Sequence, residues 1–334
     1  MKVAVILPVR DAAAHLPECL ARVHAQSRPA DELIISVAPS ADGTRGLAER
    51  LGGDLARVVD NPSGDRGSAI NRALDDLAAD VIAMVDAQAH LAPDYLESAI
   101  NVMNRTGAAV VGGPMRPVGR GPIGEAMAAC LGSPFAIGDS QFHFVGHARD
   151  VDSVYLGVYR ADVFKAVGRY NLALLRTEDD DMNARVRERG LRIHLDPAIQ
   201  SDYQCRNDLA SIWRQYFGYG FWKVALLAAR PAALRTRHLI PASFVVALGA
   251  TAVVSLVTGV PAFAVLSVVW LAGAVAFAVI APAPSLGARL LFPLVALVIH
   301  LAYGTGFLFG VASLPNNLQR IRAGVSIADG PLGR

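Results

Sequence analysis

The sequence predicts an α/β protein in which a doubly wound, largely parallel sheet of nucleotide-binding type is followed by an apolar C-terminal third carrying about three membrane-spanning helices. Three observations lead there. Between Met1 and about Ile199, short β-branched runs alternate with amphipathic stretches, the pattern that βαβ units require. Of 31 basic and 29 acidic side chains, only Arg289, Arg320, Arg322, Asp329 and Arg334 lie beyond Arg237. The whole chain is 53% hydrophobic and 18% charged, whereas an average soluble protein is roughly 25% charged. The chain is therefore a globular part with an ordinary charge content, long enough for one sizeable core, joined to a membrane-like segment.

The elements follow in order. "VAVILPV" is a buried first strand, because Pro8, Arg10 and Asp11 end its apolar run well short of a signal-peptide core. The helical pattern "AAAHLPECLARVHAQ" follows it. Then come "ELIISVAP" with "TRGLAERLG", "ARVVDNP" with "GSAINRALDDLA", and "DVIAMVDA" with "PDYLESAINVMNRTG". Further strands are expected at "AAVVGGPM", "VDSVYLGVYR" and "LRIHLDP", interleaved with helices near 122–132 and 178–190. This globular part is assigned to 1–205.

Residues 206–238 read as an amphipathic interfacial helix and a basic linker. Trp213, Tyr216, Phe217, Tyr219, Phe221 and Trp222 mix with Arg214, Lys223 and Arg230 at helical spacing. That pattern suits a helix lying at headgroup depth or an aromatic core helix, and its place just before the membrane segment favours the first. Three stretches, 239–259, 261–281 and 290–312, are long enough to cross about 30 Å of hydrocarbon. The first two form a tight hairpin, and Arg289 falls in the loop before the third. Arg230, Arg235, Arg237 and Arg289 put the globular part on the cytoplasmic side by the positive-inside rule. Three spans then place the short tail, 313–334, outside, although Arg320 and Arg322 oppose that. His300, inside the third span, is a functional candidate or a neutral histidine bonded to a neighbouring helix.

A net charge of +2 without a basic face or repeat gives no electrostatic case for nucleic acid. Cys19, Cys130 and Cys205, odd in number and with no CxxC, match neither a disulfide framework nor a zinc site. They read as reduced, mostly buried cytoplasmic thiols. No GxGxxG follows the first strand and no GxxxxGK[ST] occurs anywhere, which removes most support for dinucleotides and P-loop triphosphates. A nucleotide held without a glycine cradle needs another neutraliser for its diphosphate, typically a divalent metal on strand-end carboxylates. Asp86, ending "VIAMVDAQAH" at the carboxyl edge of the sheet, is either such a ligand or a cap on a local turn. In "TEDDDMNARVRERG", Thr177 and Asp180 have the spacing of a capping box, and acids suit a helix N-terminus. Capping needs only one or two of the four acids. Their crowding raises carboxyl pKa values while the helix end lowers them, so one of them can serve as a general base.

Eight stations in order, "ILPVRDAAAHL", "SADGT", "NPSGDRGSAINRAL", "VDAQAHLAPDYLE", "VVGGPMRPVGR", "VDSVYLGVYRADVF", "LLRTEDDDMNARVRERG" and "WRQYFGYGFWKV", resemble the family 2 glycosyltransferases. The likeness is greatest to their membrane-anchored subgroup in cell-surface polysaccharide synthesis. The resemblance implies a GT-A fold, Rossmann-like and of the nucleotide-diphospho-sugar transferase type, with a UDP-hexose donor over the strand ends. It implies that Pro8, Val9 and Arg10 border the base and that Asp86 and Gln88 face the diphosphate, with Asp86 on a Mg²⁺ or Mn²⁺ ion. Asp179 becomes the base that deprotonates the acceptor in an inverting transfer, and Glu178 shapes that site. Tyr155, Gly157 and Gln215 line the sugar and acceptor region. The implied partners are a nucleotide-sugar donor, a lipid-linked or saccharide acceptor and the inner membrane, with no nucleic acid. There are three departures from the family pattern: Val37 and Ala38 replace an acid pair expected after the second strand, Gln88 replaces the second acid of a DxD, and Gly218 replaces an arginine. These departures keep open the alternative of a catalytically inactive GT-A-like subunit or scaffold in a polysaccharide-assembly complex.

Overall fold

A computed structural model describes residues 1–329 apart from 76 and 145. In chain order its elements are β1 (Val3–Val9), α1 (Leu16–His24), β2 (Glu32–Val37), α2 (Thr44–Leu51), β3 (Ala56–Asp60), α3 (Arg66–Ala73), β4 (Val81–Met84), β5 (Ala89–Leu91), α4 (Tyr95–Thr106), β6 (Val110–Gly113) and β7 (Met115–Val118). They continue with α5 (Gly121–Leu131), α6 (Pro134–Ile137), β8 (Arg149–Asp150), β9 (Tyr155–Arg160), α7 (Asp162–Val167), α8 (Glu178–Glu188), β10 (Ile193–Leu195), β11 (Ser201–Gln204), α9 (Leu209–Ala229), α10 (Ile240–Thr258), α11 (Ala262–Ile280) and α12 (Leu286–Asp329). The chain divides into two compact units. The first is built mainly from Met1–Arg116 and Gln141–Tyr203, the second from Pro117–Ser140 and Gln204–Gln319. The excursion that carries α5 and α6 thus belongs with the apolar helices, a grouping that a single boundary near residue 205 does not anticipate.

The first unit holds an eight-stranded sheet in the order β3-β2-β1-β4-β9-β6-β10-β8. β1, β2, β3 and β4 pair in parallel, as the sequence pattern requires. β9 runs antiparallel between β4 and β6, so the sheet is mixed beyond β4. β1 is buried along nearly its whole length, which is why it reads as a continuous apolar run rather than an alternating one. One face packs Val5, Leu7, Leu33 and Ile35 against Leu16, Leu20 and Val102, and the other packs Ile6, Ile34 and Met84 against Ile70, Tyr170 and Met182. β5, β11 and β7 form a separate three-stranded sheet in the order β5-β11-β7. The order of β1 and its neighbours brings the C-terminal end of β4 and the N-terminal ends of α3 and α8 together at the carboxyl edge, the ligand side of an open α/β sheet.

In the second unit, three helices are long and apolar enough to cross a membrane: Ile240–Thr258, Ala262–Ile280 and Leu286–Pro315. α10 and α11 form the expected hairpin, turning at Gly259 in a left-handed conformation with φ 72°. Leu256, Val257 and Ile280 point outward, each more than 70% exposed. The third helix differs from expectation at both ends. It begins at Leu286, because Ser285 Oγ accepts the Ala288 N–H, so Arg289 stands in its first turn and donates to the Val279 carbonyl rather than occupying a loop. It also continues without interruption past Pro315 to Asp329, so the expected tail is helical through Asp329; residues 330–334 lie outside the described residues. α9 packs closely on α12. A Cβ at Gly220 would stand 2.1 Å from the Tyr303 carbonyl, and one at Gly306 would stand 2.2 Å from the Phe217 carbonyl, the small-residue contact that lets apolar helices approach. His300 is satisfied within this unit. Trp270 Nε1 donates to its Nδ1 at 3.1 Å, which leaves Nε2 to donate to the Phe135 carbonyl at 3.0 Å, a neutral tautomer enclosed by Phe135, Phe244 and Trp270.

Candidate active site

Asp65 ends the β3–α3 loop as the N-cap of α3, its Oδ1 accepting the Ser68 N–H at 2.7 Å. This cap sets Arg66 as the first helical residue. The Arg66 guanidinium then reaches three acids. Nε and Nη2 each lie 3.2 Å from Asp86 Oδ1, Nη1 donates to both oxygens of Asp179 at 2.8 Å, and Glu178 Oε1 is 3.6 Å away. Sequence reasoning missed Arg66, although its segment was one of the eight stations. The available signal was a cation at a helix N-terminus, where the dipole disfavours it, just beyond a strand end.

The four consecutive acids separate into distinct environments. Thr177 stands at the N-cap of α8 but its side chain makes no capping bond, so the capping-box reading fails. Asp181 is fully buried and paired with Arg185 at 2.9 Å; Arg185 also donates to the Val167 and Arg169 carbonyls, so this pair ties α8 to the C-terminal end of α7 and the loop after it. Glu178 is buried, its Oε2 without a hydrogen-bond partner among the described residues. Burial, then the Asp179 charge, push its carboxyl up to about 8 against the opposing pull of Arg66. Asp179 keeps 49% of its side chain exposed. Burial of its surroundings raises its pKa, and Asp86 and Asp180 add to this, while Arg66 pulls the other way; the net direction is upward. Crowding and burial therefore outweigh the helix end here. For Arg66, burial opposes the charged form, but Asp179, Asp86 and Glu178 outweigh it and hold the guanidinium charged.

Asp86 follows β4, and its carbonyl accepts the Ala89 N–H at 2.9 Å across the turn that contains Gln88. Cys19 Sγ lies 3.6 Å from the same carbonyl, and burial pushes this thiol up to about 12, which makes it an anchor rather than a nucleophile. Cys19, Cys130 and Cys205 are all buried and free. Tyr155 opens β9 with its hydroxyl buried and unpartnered among the described residues. Burial and then the Asp86 charge raise its pKa. The next residue, Leu156, is held at φ 48°, and its carbonyl accepts the Tyr95 hydroxyl at 2.6 Å. Gly157 is buried, and a Cβ there would stand 2.7 Å from the Tyr159 ring, so what the structure shows of it is packing. Pro8 is half-buried, Val9 is in the core, and Arg10 lies exposed at the strand end beside the β3–α3 loop. Gln215 lies on α9 in the second unit and donates to the Tyr219 hydroxyl at 3.0 Å.

Among the described residues no group of three or more His, Cys, Asp and Glu side chains could hold a metal ion. A divalent cation fits only if it shares its ligands with a bound diphosphate and water, the usual habit of Mg²⁺. Asp86, 38% exposed and bonded to Arg66 through Oδ1, is the side chain that would hold it. The surplus of carboxylate over guanidinium charge at this edge suits a cation.

Residues 4–166 match the family model "Glycosyl transferase family 2". The succinoglycan biosynthesis protein ExoA of Rhizobium meliloti (strain 1021) is 28% identical over 314 residues, 91% of this chain and 93% of that protein. Among solved structures, the mannosyltransferase PcManGT from Pyrobaculum calidifontis, in complex with GDP-Man and Mn²⁺, has a TM-score of 0.52 at 19% identity, covering 96% of this chain and 87% of that one. S. aureus TarS 1-349 in complex with UDP-GlcNAc has a TM-score of 0.51 at 17% identity, covering 95% and 92%. This chain spans 55% of a longer TarS chain. The fold of the first unit is therefore GT-A-like.

Proposed function

We propose that this glycosyltransferase, whose residues 4–166 match the family 2 model, is a membrane-anchored, inverting enzyme of cell-surface polysaccharide or glycolipid synthesis. It moves a hexose from a nucleotide diphosphate donor, UDP-linked in our reading, to a lipid-linked or membrane-near acceptor at the cytoplasmic face of the inner membrane. The observation that carries this reading is Asp179: a half-exposed carboxyl at the carboxyl edge of the sheet, raised above the usual range, beside Asp86 and Glu178.

Asp179 takes the proton of the acceptor hydroxyl as that oxygen attacks the anomeric carbon, and a base with a raised pKa holds that proton better. Attack opposite the departing nucleotide inverts the centre. Glu178, whose burial favours its neutral form, stands behind Asp179 and limits the negative charge on that wall of the site. Tyr155, its hydroxyl buried, is assigned to the sugar and acceptor region, and Pro8 and Arg10 border the base. Asp86 would hold a Mg²⁺ or Mn²⁺ ion, whose contribution is to neutralise the diphosphate. Gln88 lies in the same turn, and Gln215 is assigned to the acceptor side. The apolar helices and the similarity to ExoA support the membrane placement. Arg230, Arg235, Arg237 and Arg289 support the cytoplasmic orientation.

A second reading, an inactive GT-A subunit of a polysaccharide-assembly complex, is favoured by one observation: β2 ends in buried Val37 and Ala38 with no acid there to read a base. Calorimetric titration of the detergent-solubilised full chain with UDP and GDP, each with and without Mn²⁺, separates the two readings. Binding of one nucleotide, followed by transfer from its sugars, supports the enzyme. Absence of binding by folded protein supports the scaffold.

A further inference from the structure

The Arg66 bonds conflict with the role of Asp179. A carboxylate is a base through an oxygen lone pair that faces the incoming proton, and both Asp179 oxygens accept from Arg66 Nη1 at 2.8 Å. Each oxygen keeps a second lone pair, but while this pair stands the donated bonds and the guanidinium charge stabilise the carboxylate form and weaken its hold on a proton. Arg66 also spends Nε and an Nη2 N–H on Asp86 Oδ1, at 3.2 Å. That is a long distance for a charge-assisted bond, usually 2.7–2.9 Å, so the Asp86 side is the loose end of the fork. The guanidinium is 24% exposed and opens to solvent at the same edge as Asp86 and Asp179, which are 38% and 49% exposed. Around it stand three carboxyls, of which only Glu178 is buried away. An anion that reaches this edge meets one positive side chain already shared between acids.

We propose that Arg66 binds the diphosphate of the nucleotide donor, and that this change of partner releases Asp179 to act as base. The proposal rests on the reading of the site as a sugar-transfer site and adds to it a named donor-binding and positioning residue. The planar fork that now spans two carboxylates suits phosphate oxygens equally well. Before the donor arrives, Arg66 keeps Asp86 and Asp179 from repelling one another. Once the guanidinium turns to phosphate, Asp179 loses its counter-ion, its proton affinity rises, and an oxygen is free for the acceptor hydroxyl. The order of binding follows: donor first, acceptor second. The exchange moves no covalent bond and needs no co-reactant.

The alternative is an Arg66 that serves only as structural glue among the acids. Titration of the full chain with UDP, UMP and uridine separates the two, using Arg66→Lys, Arg66→Gln and Asp179→Asn. If Arg66 moves to the diphosphate, Arg66→Gln weakens UDP by about tenfold or more, the order of a lost charge-assisted bond, and leaves uridine unchanged, so the preference for UDP over uridine collapses. Arg66→Lys recovers part of that preference, because charge remains but the fork does not. Asp179→Asn, with Arg66 intact, tightens UDP several-fold, because the guanidinium no longer has a carboxylate to leave. This third variant retains the counter-ion and keeps the proposal testable if Arg66→Gln fails to fold. Unchanged UDP affinity in both Asp179→Asn and Arg66→Lys overturns the proposal while leaving the function intact. Failure of the wild-type chain to bind any nucleoside diphosphate overturns both.

Discussion

Arg66 and Asp179 lie 113 residues apart in the chain, and a single guanidinium nitrogen of the first bonds both carboxylate oxygens of the second. The pair joins the N-terminal ends of α3 and α8 across the carboxyl edge of the sheet, and Asp86 completes it from β4. These three side chains, with Glu178 behind them, account for the concentrated charge at this edge.

Glu178 gives the fold a pH signature. Its carboxyl sits at about 8 in the folded chain against an ordinary 4.5, so between these values the folded state binds more protons than the unfolded one. Stability contributed at low pH is then lost as pH rises through that window. Thermal unfolding of wild type and Glu178→Gln from about pH 5 to about pH 8 checks this. The wild-type midpoint falls relative to the variant as pH rises, and parallel profiles would place the Glu178 pKa in the ordinary range.

Asp86→Ala removes the one carboxylate assigned to a cation and leaves Arg66 its bonds to Asp179. Nucleotide affinity in this variant becomes insensitive to added Mn²⁺. Calorimetry with and without the ion tests this, and a Mn²⁺ response equal to wild type would reduce Asp86 to a strand-end cap.

The Tyr95 hydroxyl holds the Leu156 carbonyl at 2.6 Å inside the core. Tyr95→Phe leaves that carbonyl without this donor, beside a leucine at φ 48°, and costs about 1–3 kcal/mol. Chemical denaturation measures it.

Gly220 and Gly306 let α9 and α12 touch at backbone distance. Gly306→Val forces them apart at a cost of about 1–3 kcal/mol for overpacking, read as a lowered unfolding temperature in detergent. Gly249, with nothing within 4 Å of an added Cβ, tolerates alanine and serves as the control.

Much of this architecture is legible in the sequence because burial writes itself into local composition. "VAVILPV" is apolar throughout because β1 is covered on both faces, and the hairpin of α10 and α11 is announced by two uncharged runs divided at Gly259. The antiparallel insertion of β9 leaves no such trace, since a strand between two others is equally apolar whichever way it runs. Arg289 looks like a loop residue because a charge among apolar residues reads as a break; at a helix start it keeps its head free to reach the Val279 carbonyl. Asp86, Glu178 and Asp179 are conspicuous as acids at a strand end and at a helix start. Arg66 is hidden because its partners are set by topology, and nothing within ten residues of it reveals them.

The role of Asp179 as the base of a sugar transfer is tested by comparing transfer by wild type and Asp179→Asn with both saturated with donor nucleotide. If Asp179 is the base, the variant folds and binds the nucleotide at least as tightly as wild type, while transfer falls by about 10²-fold or more. Transfer at the wild-type rate by a saturated Asp179→Asn would contradict it.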